Sequence, residues 1–171
     1  MKITFCEDRP ILAPCPLETY EFQVDPYIGC GHYCHYCYVL KQAETDWRRE
    51  IITHAEIEQR LASALADVPP QAIYMGWHTD PYQPCEAEHR QTRKVLELLA
   101  EKGFSARILT KSDLVLRDLD LLTAMPDAAV SISVAFVDEE IRQVFEANTR
   151  ETSARIAALQ EIKAAGLGTS T

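Results

Sequence analysis

The chain has 171 residues, which is enough for one domain with a real core, and 47% of them are hydrophobic, which excludes an intrinsically disordered protein. Its net charge of -9 disfavours non-specific binding to nucleic acid or to an acidic membrane surface, and leaves room only for a local basic groove. No apolar run is long enough to cross a membrane, and the first residues lack the apolar core of a signal peptide. We therefore expect a cytoplasmic protein with reduced thiols.

The predicted elements alternate between strands and helices. Residues 1–20 contain three prolines and are expected to be irregular. Strands are predicted at residues 20–27, 72–76, 105–110 and 129–134, and residues 167–171 begin a fifth. Helices are predicted at 51–65, 86–102, 113–124 and 138–145, with a longer one from about 152 to 165. Thr53 and Glu56 have the spacing of a capping box at the start of the first helix.

This alternation predicts parallel strands joined by right-handed crossovers, in a single α/β domain. Four such units, plus the start of a fifth strand, indicate an incomplete barrel of (βα) type. In such folds the carboxyl ends of the strands carry the chemistry. Every motif described below lies just after a predicted strand.

Three cysteines, Cys30, Cys34 and Cys37, lie within eight positions after the first predicted strand. Pro26, Gly29 and the glycine at 31 predict a loop at this point. Three thiolates in a short loop can hold a soft metal ion or an iron–sulfur cluster. A cubane of four irons held this way keeps one iron without a protein ligand, and a small chelating molecule can bind there.

Other interpretations of the same cysteines remain open. Their spacing also places them on one face of a helix, where they would be small core residues. A zinc site with His32 or His35 as the fourth ligand is the stronger competitor, although no second pair of ligands is evident. The chain would then be a non-catalytic metal-binding module. The remaining cysteines, Cys6, Cys15 and Cys85, are expected to be ordinary packing or surface thiols.

The spacing C-x3-C-x2-C, with Tyr36 before the last cysteine and Tyr38 after it, resembles the cluster loop of the radical S-adenosylmethionine (radical SAM) enzymes. The wider segment from Asp25 to Tyr38 is similar to the branch related to spore photoproduct lyase. The resemblance implies a partial barrel of six units, of which this chain would be a C-terminally shortened copy. It also implies a four-iron four-sulfur (4Fe-4S) cluster on Cys30, Cys34 and Cys37. The shortened chain need not retain turnover.

In such enzymes the reduced cluster cleaves S-adenosylmethionine, and the resulting 5′-deoxyadenosyl radical takes a hydrogen atom from a substrate. The resemblance therefore implies a low-potential electron donor, such as flavodoxin or ferredoxin. It leaves the substrate unknown. Spore photoproduct lyase has a hydrogen-donating cysteine near the end of the second strand. Here Trp77 and His78 occupy that region, and this departure from the family's pattern puts repair of thymine dimers in doubt.

The resemblance also implies a set of residues that bind S-adenosylmethionine. Tyr36 and Tyr38 would lie near its nucleoside, Thr79 and Asp80 near its amino group, and Lys111 near its carboxylate. Ser131 and Ser133 share a face of the fourth strand and would contact the ribose or the amino acid part. Arg155, on the last helix, is expected to be exposed.

Overall fold

The computed structural model describes residues 1–170, which form two β-sheets and six α-helices. In chain order, the strands are β1 (Lys2–Cys6), β2 (Leu12–Pro14), β3 (Phe22–Val24), β4 (Tyr27–Ile28), β5 (Glu50–His54), β6 (Ala72–Met75), β7 (Ser105–Thr110), β8 (Ala129–Ile132) and β9 (Gly168–Ser170). The helices are α1 (Ile57–Ala64), α2 (Glu86–His89), α3 (Gln91–Glu101), α4 (Leu119–Leu122), α5 (Glu139–Phe145) and α6 (Thr152–Ala164), and two 3-10 segments cover Tyr38–Gln42 and Asp113–Asp118.

The larger sheet has the order β2-β3-β6-β7-β8-β9. Its strands run parallel from β3 to β9, and only β2 is antiparallel to its neighbour. One or two helices connect each parallel strand to the next, as the alternation of the sequence predicts. Among the described residues this sheet does not close on itself, so the predicted partial (βα) barrel is confirmed. The carboxyl ends of its parallel strands all lie at one edge.

The helices cover one face of the larger sheet. Alternate residues of the central strands point to that face and are fully buried there, including Ile73, Met75, Ala106 and Val130. Leucines of the α1 and α3 helices, such as Leu61 and Leu96, complete the same core. On the opposite face Leu109 and Ser131 remain partly exposed, as expected for a barrel interior that the described strands only half enclose.

The smaller sheet corrects two predictions. Residues 1–20 are not irregular throughout, because β1 pairs in parallel with β5, and β2 joins the larger sheet. Residues 50–54 form the strand β5 and not the first turn of a helix, since Ile51, Ile52 and Thr53 are β-branched and find a partner strand on each side. Thr53 is therefore no helix cap, and its Oγ1 donates to the Pro26 carbonyl oxygen at 2.9 Å.

The other differences from prediction are changes of boundary. The first strand is divided into β3 and β4, and the helix predicted at 86–102 is broken at Arg90, whose φ is 51°. The segment predicted as a helix at 113–124 begins as a 3-10 turn, in which Ser112 Oγ accepts from the Leu114 amide at 3.2 Å. Within residues 1–170 no helix is both long and apolar enough to span a membrane.

Candidate active site

A cavity of about 210 Å³ lies at the carboxyl edge of the larger sheet. We call it the thiol cavity, because Cys30, Cys34 and Cys37 all line it. Loops after β4, β6 and β7 form its walls. The predicted cofactor residues that also line it are Tyr36, Tyr38, Thr79, Asp80 and Lys111. Five of the seven residues proposed to bind the cofactor, and all three thiols, therefore share one cavity.

The cysteine loop is a series of tight turns and not a helix. The carbonyl oxygens of Cys30, Cys34 and Cys37 each accept a hydrogen bond from the amide three residues later, at 3.0 to 3.2 Å. Tyr33 separates the first two turns with a φ of 49°, a left-handed conformation that interrupts regular helix. The alternative in which the cysteines are core residues of one helical face is therefore wrong.

Gln83 holds this loop to the segment after β6. Its side chain is fully buried. Its Oε1 accepts from the Gly31 amide at 2.7 Å, and its Nε2 donates to the Gly29 carbonyl oxygen at 2.9 Å and to Thr79 Oγ1 at 3.0 Å. Thr79 donates to the same Gly29 carbonyl at 2.7 Å. The backbone on both sides of Cys30 is thus fixed by one amide side chain.

Two glycines near the site let neighbouring segments approach each other closely. Gly29 has a φ of +92°, and a Cβ there would lie 2.8 Å from the Trp47 ring. Gly76, at the end of β6, has a φ of +113°, and a Cβ there would lie 2.3 Å from the Leu109 carbonyl oxygen. Any larger residue at either position would push Gly29 away from Trp47 or Gly76 away from Leu109.

Asp80 joins three parts of the site. Its Oδ1 accepts from the Tyr82 amide at 2.9 Å and from the Thr110 hydroxyl at 2.6 Å, and its Oδ2 accepts from the Lys111 amide at 2.7 Å. His32 Nδ1 lies 3.2 Å from Oδ2, close enough for an ion pair but not aligned as a hydrogen bond. Asp80 therefore both caps its own turn and fixes the end of β7.

Charge pairing dominates the titration of His32 and Asp80. Burial alone would lower the pKa of His32, but the Asp80 carboxylate outweighs it and raises that pKa to about 10. Burial alone would raise the pKa of Asp80, but His32, the Thr110 hydroxyl and the Lys111 amide lower it to about 2. The pair is therefore charged at neutral pH, and places one balanced ion pair beside the thiols.

Glu146 supplies a buried carboxylate behind two residues that line the thiol cavity, Tyr36 and Lys111. Arg155 Nη1 lies 2.8 Å from its Oε2, and both side chains are fully buried. The Tyr36 hydroxyl donates to Glu146 Oε1, and Lys111 Nζ lies 4.0 Å from the same oxygen. The expectation that Arg155 is exposed is wrong, because its guanidinium neutralises this carboxylate.

Lys111 keeps an accessible ammonium group at the cavity. Its side chain is 20% exposed, and its Nζ lies 5.9 Å from the centre of the Tyr36 ring. Glu146 already has the Arg155 guanidinium as a close partner, so the Lys111 ammonium is not fully neutralised and can receive a carboxylate.

Tyr38 and the two serines differ in their relation to the cavity. The Tyr38 hydroxyl donates to the Trp77 carbonyl oxygen at 3.1 Å, which places its ring at the cavity wall. Ser131 and Ser133, on and just after β8, do not line the thiol cavity. The Ser133 carbonyl oxygen accepts from Arg155 Nη1 at 3.0 Å. The two serines therefore lie one strand farther along the sheet than β7, whose end borders the thiol cavity.

The three thiols have the donor chemistry of an iron–sulfur cluster site, because cysteine thiolates hold such clusters. All six cysteines of the described chain carry free thiols. Burial raises the pKa of Cys34 to about 12, so without a metal this sulfur is protonated. Within residues 1–170 no three His, Cys, Asp or Glu side chains are close enough to hold one metal ion. Three cysteines that line one cavity therefore suit a cluster whose irons are held by thiolates.

Sequence reasoning missed several residues that build the site. Gln83, Glu146 and Arg155 contribute through contacts to residues far away in the chain, so no local spacing marks them. The sequence alone suggests His32 only as a zinc ligand. Its partner Asp80 is 48 positions away, and the contact depends on the ends of β3 and β6 being neighbours.

Comparison with known proteins gives relatives of greater length. An uncharacterised protein of Mycobacterium tuberculosis is 29% identical over 160 residues, a match that covers 86% of this chain and 47% of the relative. An uncharacterised protein of Methanocaldococcus jannaschii is 26% identical over 159 residues, covering 90% of this chain and 60% of the relative. The chain thus spans about half the length of the curated relatives it matches.

Solved structures of spore photoproduct lyase share the fold. One mutant of that enzyme matches with a TM-score of 0.73 at 18% identity, over 98% of this chain and 49% of the other. Another, with bound AdoMet and dinucleoside spore photoproduct, matches with a TM-score of 0.70 at 18% identity, with the same coverage. The profile of the Radical SAM superfamily matches residues 24–171, which is most of the chain. The chain therefore belongs to the radical SAM superfamily.

Proposed function

We propose that this chain binds a 4Fe-4S cluster through Cys30, Cys34 and Cys37 and cleaves S-adenosylmethionine reductively, so that the radical formed takes hydrogen from a substrate not yet identified. The observation that carries the proposal is that the three thiols and the Lys111 ammonium line one cavity. Membership of the superfamily supports the chemistry in general.

When bound, the cluster and S-adenosylmethionine supply the electron and the radical. The protein's own residues would bind these two groups and orient them. The ammonium of Lys111 would receive the carboxylate of the methionine part. Tyr36 would lie beside the nucleoside, and its hydroxyl is held by Glu146, which fixes the ring.

We propose a positioning role for Asp80 beside the contact with the amino group that the resemblance implies. Its carboxylate oxygens accept hydrogen bonds from Tyr82, Thr110 and Lys111, so it would also position the strand ends. Thr79 is likewise engaged with the Gly29 carbonyl. Ser131 and Ser133 are retained as candidate contacts for the ribose or amino acid part, from the neighbouring strand. A flavodoxin or ferredoxin is the proposed electron donor.

Formation of 5′-deoxyadenosine tests this function. The protein would be reconstituted anaerobically with iron and sulfide, reduced with dithionite and given S-adenosylmethionine, and the product measured by liquid chromatography. We expect 5′-deoxyadenosine from the parent chain. Lys111→Met should weaken binding of S-adenosylmethionine about tenfold or more, because a charged hydrogen bond is lost. Lys41→Met removes an exposed lysine outside the cavity and should change nothing.

The competing function is a non-catalytic zinc or iron–sulfur module. It predicts a colourless protein holding one zinc, or a brown protein that never forms 5′-deoxyadenosine. No contact among the described residues favours a zinc site, since no third or fourth ligand is close enough to any pair. A stoichiometric zinc content with no cluster would nevertheless reject the proposed function.

A further inference from the structure

A second and larger cavity adjoins the thiol cavity. It has a volume of about 330 Å³ and lies between β3, β5 and the segment 39–47. We call it the side cavity. Much of its wall is apolar, with Ile28, Val39, Trp47 and Ile52 among its lining residues. A volume of this size can hold a small organic molecule.

Two oxygen atoms without partners belong to residues that line the side cavity. Gln23 is only 4% exposed, and its Oε1 has no hydrogen-bond partner among the described residues. The Oδ1 of Asp25 is also buried and, in the same described part of the chain, equally unpartnered. Buried polar atoms in folded proteins are nearly always paired, so two unpaired acceptors beside one cavity indicate a missing donor.

Arg9, Glu44 and His78 of the side cavity have charged partners, while the more exposed Gln42 and Thr45 also line its wall. Arg9 forms an ion pair with Glu44, which leaves neither free for a ligand. His78 Nδ1 lies 2.9 Å from the second oxygen of Asp25. Among the described residues of this wall, the buried polar atoms left without a partner are an amide oxygen and a carboxylate oxygen, both of which accept hydrogen bonds.

His54 adds no charge to oppose a cation. It is 3% exposed, and burial lowers its pKa below the usual 6.5, so it is neutral at pH 7. Its Nδ1 lies 3.8 Å from Cys6 Sγ. The part of the wall around Gln23 Oε1 and Asp25 Oδ1 therefore suits a donor group, neutral or cationic, and not an anion.

We infer that the side cavity binds a small molecule with an apolar body and an amine, amidine or amino-heterocycle end, which donates hydrogen bonds to Gln23 Oε1 and Asp25 Oδ1. The two cavities share Val39 and His78 as lining residues, so a molecule here borders the thiol cavity directly. This step rests on the proposed function: the molecule in the side cavity is the substrate from which hydrogen is taken, and its chemistry defines the substrate class. His78, whose Nδ1 lies 2.9 Å from Asp25 Oδ2, lines both cavities and would contact the molecules bound in each of them.

Benzamidinium is a suitable probe, because it carries a flat apolar ring and a forked N–H donor. Its binding to the chain without cluster or S-adenosylmethionine can be measured by isothermal titration calorimetry, with benzoate as the matched anion. We expect saturable binding of benzamidinium, at least tenfold tighter than that of benzoate. Gln23→Leu and Asp25→Asn should each weaken it about tenfold. Gln71→Leu, which removes an amide outside both cavities, should have no effect.

The two tryptophans provide a test in which no residue of the side cavity is replaced. Trp47 lines the side cavity and Trp77 lines the thiol cavity. Benzamidinium should shift the indole N–H signal of Trp47 in a nuclear magnetic resonance spectrum and leave that of Trp77 in place, with Trp77→Phe assigning the signals. A shift of Trp77 alone, equal affinity for benzoate, or no saturable binding of benzamidinium would overturn the inference.

Failure of this inference is distinguishable from failure of the proposed function. Benzamidinium binding is measured without the cluster, so it stands even if no 5′-deoxyadenosine is formed. Conversely, if the chain forms 5′-deoxyadenosine but does not bind benzamidinium, the proposed function stands and only the inferred substrate class is rejected.

Discussion

Replacement of Gln83 by leucine tests whether the cysteine loop is held by the contacts described. Gln83 makes three hydrogen bonds within a fully buried site. Leucine has a similar volume but no polar atoms, so the change removes all three and leaves the Gly31 amide without its acceptor. At about 1 kcal/mol for each bond, the free energy of unfolding should fall by about 3 kcal/mol.

Urea unfolding of the reduced chain without metal, followed by circular dichroism, measures this loss. Gln71→Leu is the matched control, because its amide makes one exposed contact with Glu21 at 3.1 Å and its loss should cost less than about 0.5 kcal/mol. Gln83→Leu should also lower the amount of iron retained after reconstitution. A loss of stability below about 1 kcal/mol, with iron content unchanged, would refute the role given to Gln83.

Three further predictions follow from other contacts. Arg155→Met should lower the free energy of unfolding by about 3 to 5 kcal/mol, because it leaves the buried Glu146 carboxylate without its guanidinium partner. Gly76→Ala should lower it by about 3 kcal/mol or more, since strain at positive φ adds to a backbone clash. His78 should titrate above 6.5 in a nuclear magnetic resonance experiment, because Asp25 raises its pKa, and Asp25→Asn should remove that shift. Stability from this last contact is present below pH 6.5 and is lost as the pH rises through the pKa of the folded state.

Matched variants sharpen these expectations. Gly103 also has a positive φ, but a Cβ there meets nothing, so Gly103→Ala should cost only about 1 kcal/mol. Equal losses at Gly76 and Gly103 would argue against the clash. Adding Glu146→Leu to Arg155→Met should recover much of the stability, since no buried charge is then left alone. A double variant as unstable as the single one would contradict the ion-pair explanation.

The parts of the fold that depend on local pattern could be predicted from the sequence. Residues 105–110 alternate around Ile108 and are bounded by Gly103 and Ser112, and the strand β7 has the predicted limits. The cysteine loop could also be predicted, because the spacing of its glycines and thiols is a local property of the sequence. Segment 50–54 was misread, since Thr53 and Glu56 have the spacing of a helix cap whereas the stabilising contact is with residues 2–6.

The parts of the site that depend on distant contacts could not be predicted. Arg155 on a helix near the carboxyl end looks like any solvated charge, until Glu146 is placed inside the same core. Gln83 gives no signal in the sequence, because its importance comes from the backbone of Gly29 and Gly31, more than fifty positions away. The side cavity is likewise invisible, since Gln23 and Asp25 show their missing partners only once the strands are assembled.

Electron paramagnetic resonance of the anaerobically reconstituted and reduced protein tests the central claim most directly. The account predicts the signal of a reduced 4Fe-4S cluster that changes when S-adenosylmethionine is added, is lost in Cys34→Ala and persists in Cys85→Ala, which removes a buried thiol outside the thiol cavity. A signal that survives in Cys34→Ala, or that does not respond to S-adenosylmethionine, would contradict it.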